Sequence, residues 1–165
     1  MRFLGIDLAG RYSAAVLLDK AGSILGEWTV DVGPARVPPE PQAHLAELTL
    51  FWNDILTKLS VPTVVGLEDI HVFAVNPKPA LRLSGALLML AFEAGVDVQL
   101  IRALTWQAHH GYKKTKGRTS KGWAKERCEE LGYSPDTVGK MSIDLRDAFL
   151  IATYLKDQEQ LTEPS

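Results

Sequence analysis

Acidic residues follow two short apolar runs of this sequence at the points where each run ends. Asp7 comes directly after Phe3–Ile6, and Glu68 comes directly after Val64–Leu67. Uncharged runs of this kind predict buried strands, and in open α/β sheets the strand ends are where ligands bind. A single acid at such a point more often only begins a turn, so neither residue identifies a site by itself.

Two further acids lie three residues apart near the start of a helix that we predict to begin at a capping Ser142. Asp144 and Asp147 would both occupy its first turn and project from one face. Asp144 alone is explained by the favourable effect of a negative charge at a helix N-terminus. Asp147 is explained less well in this way, because the apolar segment Ala148–Ala152 follows it directly.

Taken together, these acids have a chemical rationale. Carboxylate oxygens are the ligands that Mg²⁺ prefers, and a site for two ions about 3.5–4 Å apart needs several of them. Without cations the four carboxylates would repel one another. The sequence therefore predicts a metal site formed by Asp7, Glu68, Asp144 and Asp147.

A basic segment, residues 102–127, carries most of the positive charge that could hold an anionic substrate. It contains eight Lys or Arg residues and one acid, Glu126, although the whole chain has a net charge of −2. Phosphate backbones respond to such local patches rather than to the total charge. A basic run alone is more often a solvated surface, but together with the acids it predicts a nuclease.

The elements that must position these residues form one predicted domain, residues 1–158, with a frayed tail over 159–165. Strands are predicted over 2–8, 13–18, 24–32, 63–67 and 96–101, and helices over about 45–59, 80–94, 120–131 and 142–157. This order predicts a mixed α/β sheet flanked by helices. Residues 75–79 are predicted to be a loop. The helix over 80–94 is so apolar that it must be buried, and its excess apolar surface would suit a dimer interface.

Length and composition fit a single globular domain of 165 residues, with 46% hydrophobic and 23% charged residues. No apolar run reaches the roughly 18 residues of a membrane span, and Asp7 interrupts the apolar stretch that a signal peptide needs. The single cysteine, Cys128, excludes an internal disulfide and is expected to be a small buried residue. A reducing cytoplasm is the expected location.

In the order and separation of its motifs, the sequence resembles the RuvC-type Holliday junction resolvases, which have a ribonuclease H-like fold. Four motifs carry the resemblance: Gly5-Ile6-Asp7, Glu68 followed by Asn76 and Ala80–Gly85, the Lys- and Gly-bearing segment 113–125, and Asp144-Leu145-Arg146-Asp147-Ala148. The resemblance implies an α/β fold with a five-stranded mixed sheet. It implies a homodimeric endonuclease that depends on Mg²⁺, with Mn²⁺ as a substitute, and cuts four-way DNA junctions symmetrically in recombination or repair.

The hypothesis of phosphodiester hydrolysis assigns a role to each of these charged residues. Asp7 would bridge two ions, Glu68 and Asp144 would hold one of them, and Asp147 would complete the other. Lys121 is the candidate to neutralise the scissile phosphate or the developing charge. The candidate DNA-binding residues lie in the basic segment and in the loop after Glu68: Lys113, Lys114, Lys116, Arg118, Lys121, Lys125, His71, Phe73 and Asn76.

Some positions depart from the family pattern. Asp69 stands where an amide is more usual, which leaves open whether it joins the metal site. His71, followed by Phe73, stands where the family has an aromatic residue that wedges or stacks at the crossover, and either side chain could stack on a base. These departures imply a broader preference for branched DNA, as in viral relatives, and so a bacterial or phage-infected cytoplasm.

Other functions stay open at this point. A ribonuclease H-like nuclease could act on RNA or on an RNA–DNA hybrid, and a non-catalytic module could bind nucleic acid, although such a module gains nothing from acids that face phosphate. An actin-like nucleotide-binding protein would begin with a similar strand, but it needs a second phosphate-binding half for which 165 residues leave no room.

Three aromatic residues and two histidines lie in or beside the basic segment, and each set has two possible roles. Trp106, Trp123 and Tyr112 could stack on bases, although the helical setting of Trp123 favours packing in the core. His109 and His110 could be metal ligands, but adjacent residues point apart and no further ligand is evident. The first group bears on DNA binding and the second on metal chemistry.

Overall fold

The described part of the chain folds into five strands and five helices. The structure, a computed structural model, describes residues 1–8, 12–31, 40–59, 62–69, 78–113, 119–136 and 139–162. The strands are β1 (Arg2–Leu8), β2 (Tyr12–Asp19), β3 (Ile24–Asp31), β4 (Thr63–Asp69) and β5 (Val98–Arg102). The helices are α1 (Glu40–Thr57), α2 (Lys78–Glu93), α3 (Ala103–His109), α4 (Ser120–Glu130) and α5 (Lys140–Thr162).

The five strands form one mixed sheet in the order β3-β2-β1-β4-β5. The first three strands make an antiparallel meander, while β4 pairs with β1 and β5 pairs with β4 in parallel. The parallel pairs are reached through α1 and α2, as crossover connections require. The α/β class and the five-stranded mixed sheet flanked by helices are therefore confirmed.

Each face of the sheet is covered by its own set of helices. Because side chains alternate along a strand, Phe3 and Val16 lie in one core together with α3, α4 and α5. Leu4 and Leu17 lie in the other core, which α1 and α2 complete. The result is a three-layer arrangement in which the two faces of β1 and β4 meet different helices.

Two glycines allow α5 to lie unusually close to the centre of the sheet. Gly5 of β1 pairs in register with Gly66 of β4. A Cβ on Gly5 would overlap the carbonyl oxygen of Ala148 and lie 2.5 Å from the backbone nitrogen of Ala152. A side chain at Gly5 would therefore push α5 away from the strand ends, where the acids lie.

The structure corrects several predicted boundaries. Helix α3 was not predicted, because it has only seven residues, follows β5 without a loop and has no side-chain cap. Helix α2 begins at Lys78, inside the predicted loop, because Pro79 is compatible with a first helical turn. Strand β5 spans Val98–Arg102 rather than 96–101.

Helix α5 is longer at both ends than the sequence predicts. It begins at Lys140, so Ser142 is not its cap, and the Ser142 hydroxyl instead donates to the Gly139 carbonyl at 2.8 Å. Asp144 and Asp147 consequently lie in the second turn and not in the first. At the other end, residues 159–162 continue the helix to Thr162, whereas the sequence assigns them to a frayed tail.

Two further expectations concern burial and membranes. Cys128 is fully buried and carries a free thiol, as predicted. Burial raises the pKa of this thiol to about 12, so it is not a reactive nucleophile. Among the described residues, no helix has both the length and the apolar character required to cross a membrane.

Candidate metal centre

Strands β1 and β4 bring Asp7 and Glu68 to the same end of the sheet. The two strands are parallel, and their register pairs Ile6 with Leu67, so the next residue on each strand is an acid. Parallel neighbouring strands lie about 4.8 Å apart. The two acids, which are 61 positions apart in the sequence, therefore lie side by side in the fold.

Both side chains face α5. Asp7 is two residues beyond Gly5, and Glu68 is two residues beyond Gly66, so each shares the face of a glycine that contacts α5. Asp69 falls on the opposite face, is exposed, and pairs in register with Arg102 of β5. Strand alternation thus separates Asp69 from the acids that face α5.

Helix α5 delivers the other two acids to this end of the sheet. Gly66 lies against Ile151, whereas Glu68, further along the strand, interacts electrostatically with Asp147, one turn earlier in the helix. The helix therefore runs antiparallel to β4, with its N-terminal turns over the strand ends. Asp144, which is 6% exposed, also interacts electrostatically with Asp147.

Burial and mutual repulsion perturb the pKa values of these acids. Burial, and then the charges of Glu68 and Asp144, raise the pKa of Asp147 to about 7. The pKa of Glu68 is also raised by burial and by the charge of Asp69, against a lowering effect of its hydrogen bond from Trp106. The end of the sheet therefore holds more negative charge than its surroundings can stabilise.

The nearby positive charges come from α4 and α5. Lys121 and Arg146 both lower the pKa of Asp147, so both lie close enough to act on it. Lys121 is exposed, in the first turn of α4, whose N-terminus is capped by Thr119 accepting from Gly122 N at 3.1 Å. This places the predicted phosphate-neutralising lysine on the rim of the acidic cluster.

The remaining predicted DNA-binding residues fall into two groups. Lys113 and Lys125 are exposed, and Lys125 lies 3.8 Å from Glu129 on the same helix. Six others lie outside the described residues: His71, Phe73, Asn76, Lys114, Lys116 and Arg118. Helix α4 therefore presents two exposed lysines, Lys121 and Lys125, one turn apart.

Two tryptophans that could have stacked on bases are instead buried. Trp106 is 1% exposed and Trp123 is 3% exposed, and their rings stack with centroids 6.2 Å apart. Tyr112 packs against Trp123 with a centroid distance of 4.9 Å. The indole Nε1 of Trp106 donates to Glu68 Oε2 at 3.1 Å. The sequence predicts neither α3 nor this contact. The one available hint to the contact is that the N–H of a buried tryptophan needs a hydrogen-bond acceptor.

The two histidines bind different partners and tie α3 to α5. His109 Nε2 lies 2.9 Å from Asp157 Oδ2, and the buried His110 ring lies with its Nε2 2.8 Å from the Leu150 carbonyl oxygen. Burial lowers the pKa of His110 to about 4, so its ring is neutral and donates to that carbonyl. Both histidine side chains thus hold α3 against α5.

The side chains at the strand ends are chemically suited to bind a hard divalent cation. They are carboxylates from three elements, and the pKa of Asp147 is raised first by burial and then by repulsion from Glu68 and Asp144. As the side chains are placed, the described residues contain no group of three or more His, Cys, Asp or Glu arranged to hold an ion. Binding would therefore require these carboxylates to turn towards a common cation, which neutralises the repulsion between them.

Comparison with solved structures identifies the fold. The chain superposes on the structure "T. thermophilus RuvC in complex with Holliday junction substrate" with a TM-score of 0.73 and 18% identity, covering 97% of this chain and 96% of that one. The chain has a RuvC-type fold. A second Thermus thermophilus RuvC structure gives a TM-score of 0.72 and 20% identity, with 98% of each chain covered. No protein-family model and no curated protein matches the sequence.

The coverage shows that the RuvC-type fold extends over nearly the whole of both chains. The sequence resemblance therefore corresponds to a fold that spans the molecule and is not limited to a few short motifs. At identities of 18–20%, the shared property is the fold. What the site does must be argued from its own residues.

Proposed function

We propose that the chain is a divalent-metal-dependent endonuclease that cleaves four-way junctions and other branched DNA. The observation that carries the proposal is the electrostatic interaction of Asp147 with Glu68 and Asp144 in a RuvC-type fold, where Glu68 lies beside Asp7 at the ends of two neighbouring strands. A cluster with this excess of negative charge is stabilised by cations. Exposed lysines on its rim suit a polyanionic substrate.

In this proposal the four carboxylates hold the ions, with Asp7 and Glu68 supplied by the sheet and the two α5 acids facing them. Bound Mg²⁺ would supply Lewis-acid chemistry, lowering the pKa of an attacking water and stabilising charge on the leaving oxygen. Beneath the site, Gly5 and Gly66 let α5 pack closely on the sheet and so hold its two acids over the strand ends. Lys121 stabilises negative charge on the phosphate at the rim.

DNA would be held by the exposed lysines beside the site. Lys121 and Lys125 are one turn apart on α4, so they can contact successive backbone phosphates, and Lys113, after α3, is also exposed. Contacts of this kind fix the position of the duplex without reading its sequence. Binding is expected to weaken as salt rises, by about 0.9 in log affinity per log salt for each phosphate contact.

A homodimer would allow two symmetrical cuts in one four-way junction. Helix α2 packs on the sheet through Leu83, Leu87 and Ala91, while Met89 and Phe92 on its outer side are 60% and 80% exposed. Large apolar side chains clustered on one surface are typical of protein interfaces. We place the two-fold contact on this outer side of α2.

The experiment that tests the proposal compares labelled four-way, flap, linear duplex and RNA–DNA hybrid substrates, each with Mg²⁺ and with EDTA. The expected result is Mg²⁺-dependent cutting of the four-way junction at paired, symmetrical positions, and weaker cutting of flaps. Cutting of the hybrid alone would instead indicate a ribonuclease. Binding of all substrates without cutting would indicate a non-catalytic module.

A pair of variants makes the assay specific to the site. Glu68→Gln should abolish cutting while junction binding is retained, because it removes a carboxylate that faces α5. Asp69→Asn should cut as the wild type does, because its side chain is exposed on the other face of β4. Equal cutting by the two variants would contradict the proposed site.

A further inference from the structure

Trp106 makes a contact that packing alone does not require. Its ring is 1% exposed in the core between α3, α4 and the sheet, yet its Nε1 donates to Glu68 Oε2 at 3.1 Å. Glu68 is contributed by β4, and Trp106 by α3, 38 positions later. A buried indole could donate to a backbone carbonyl with the same benefit to stability. Here it donates to a carboxylate of the candidate metal centre.

The hydrogen bond restricts the orientation of the carboxylate. It uses one of the two oxygens of Glu68, so the group can bind a cation through the other oxygen while its plane stays fixed. Groups that donate to metal-binding side chains in this way orient those side chains, and their loss typically reduces metal affinity or activity by about 10–100-fold. The indole is therefore placed to set the geometry of Glu68 without touching a metal or DNA.

Further contacts hold the indole and the short helix that carries it. The indole ring stacks on Trp123, which is two residues after Lys121 in α4. At the other end of α3, His109 lies 2.9 Å from Asp157, and the adjacent His110 donates to the Leu150 carbonyl at 2.8 Å, so both join α3 to α5. Trp106 thus contacts both the sheet acid and the helix of the rim lysine, and the histidines that follow it join the end of α3 to the helix of the other two acids.

We propose that Trp106 is a positioning residue for the Glu68 carboxylate, and that its stack with Trp123 aligns α4 and Lys121 with the acidic cluster. The inference rests on the proposed function, because it assigns Glu68 to a metal centre. It adds a residue that neither donates to a metal nor contacts the substrate. It also gives the aromatic pair a role in the site instead of a role in stacking on bases.

The test compares Trp106→Phe with Trp52→Phe. Trp52 is also fully buried, but it lies in the core on the opposite face of the sheet, and its Nε1 has no hydrogen-bond partner among the described residues. For Trp106→Phe we expect the Mg²⁺ concentration at half-maximal cutting to rise about 10-fold or more, with the KM for the junction unchanged. For Trp52→Phe we expect no change in either quantity. Equal Mg²⁺ dependence in the two variants would overturn the inference.

A second measurement does not depend on activity or on the folding of a Trp106 variant. The chain has four tryptophans, so ¹⁵N-labelled wild-type protein gives four indole N–H signals in an NMR spectrum. The Trp106 signal should shift in Glu68→Ala, which removes its acceptor, and in wild type on addition of Mg²⁺, whereas the Trp52 signal should not move. A Trp106 signal that is unaffected by both changes would overturn the inference.

The two measurements separate failure of the inference from failure of the proposed function. If the wild type cuts DNA with Mg²⁺ but Trp106→Phe matches the control, the nuclease stands and the positioning role is wrong. If the wild type neither cuts DNA nor responds to Mg²⁺, the metal centre is wrong and the positioning role fails with it, while the Glu68→Ala spectrum still reports whether the hydrogen bond exists.

Discussion

At the scale of single residues, Asp147 is the acid most affected by its neighbours. Its pKa is raised to about 7 in the metal-free fold by burial and by Glu68 and Asp144, against an ordinary value of 3.8. Between these values the folded state binds the proton more tightly than the unfolded state does. The contribution of Asp147 to stability is therefore fully present below about pH 3.8, decreases as the pH rises, and is lost by about pH 7.

Asp147→Asn should consequently stabilise the metal-free protein at pH 8 and stabilise it clearly less at pH 5, where the pH is still well below the raised pKa of Asp147. Thermal unfolding in EDTA at the two pH values measures this, with Asp69→Asn as the control. Mg²⁺ should raise the Tm of the wild type at pH 8 and not that of the variant. A Tm difference between wild type and variant that is the same at both pH values would contradict the raised pKa.

The pKa of His110 is shifted in the opposite direction to that of Asp147. Its pKa is lowered from 6.5 to about 4, chiefly by burial, so between these values the unfolded state takes up a proton that the folded state excludes. The neutral ring makes its full contribution to stability above about pH 6.5. This contribution decreases as the pH is lowered, by roughly 3 kcal/mol at pH 4.

Denaturant unfolding of wild type and His110→Gln at pH 7 and pH 4.5 checks this contribution. The stability advantage of the wild type should be largest at pH 7 and should shrink at pH 4.5, since glutamine does not titrate. An advantage that is equal at the two pH values would mean that His110 is protonated in the fold.

The sequence predicts the chemistry of the candidate site better than its supporting contacts. Asp7 and Glu68 are candidates from sequence because each follows an apolar run, which is a local pattern, and the structure places both near the ends of parallel strands. Strand alternation also turns the Asp69 side chain away from that of Glu68, and this could be predicted from the local sequence. The contact between Trp106 and Glu68 could not, because it joins residues 38 positions apart through a helix without a cap or a long apolar period.

At the scale of the elements, the close approach of α5 to β1 is the feature that positions the acids. A Cβ at Gly5 would collide with backbone atoms of α5, which cannot move aside as a side chain can. Gly5→Ala should therefore destabilise the protein by about 1–3 kcal/mol or more and reduce its Mg²⁺-dependent activity. Denaturant unfolding and the cleavage assay measure the two effects.

Gly85→Ala is the matched control for this substitution. Gly85 lies within α2, where an added Cβ meets nothing within 4 Å. Alanine is favoured over glycine in a helix interior by about 1 kcal/mol, so this variant should be more stable than the wild type. If Gly5→Ala were tolerated as well as Gly85→Ala, α5 would not be held against β1 as described.

The helices were harder to delimit from sequence than the strands. The start of α2 was hidden by Pro79, and α5 begins two residues before the serine that was expected to cap it. Strand β1 is predicted from sequence with its observed bounds, Arg2–Leu8. Helix ends depend on caps and on tertiary packing, which local patterns describe less fully.

At the scale of the whole molecule, the proposed dimer depends on the outer side of α2. Phe92→Glu should convert the dimer to a monomer, because it would bury a charge in an apolar interface. Leu50→Glu is the control, since Leu50 is 70% exposed on α1. Sedimentation velocity measures the oligomeric state, and a Phe92→Glu variant that remains dimeric would place the interface elsewhere.

The overall topology could be predicted because its signals are redundant. Three strands joined by short turns predict the meander, and two later strands separated by helices predict the parallel pairs, so the sheet order follows with few alternatives. The RuvC-type fold is confirmed over nearly the whole chain by a TM-score of 0.73. The function does not follow from the fold in the same way, because it depends on whether the acids bind cations.

Divalent-ion binding tests that dependence most directly. Mn²⁺ can be titrated into metal-free wild type, Glu68→Gln and Asp69→Asn, with free Mn²⁺ followed by electron paramagnetic resonance. Wild type and Asp69→Asn should bind with equal affinity, and Glu68→Gln should bind at least about tenfold more weakly. Equal binding by all three proteins, or no binding by the wild type, would show that the acids at the ends of β1 and β4 do not form a metal centre.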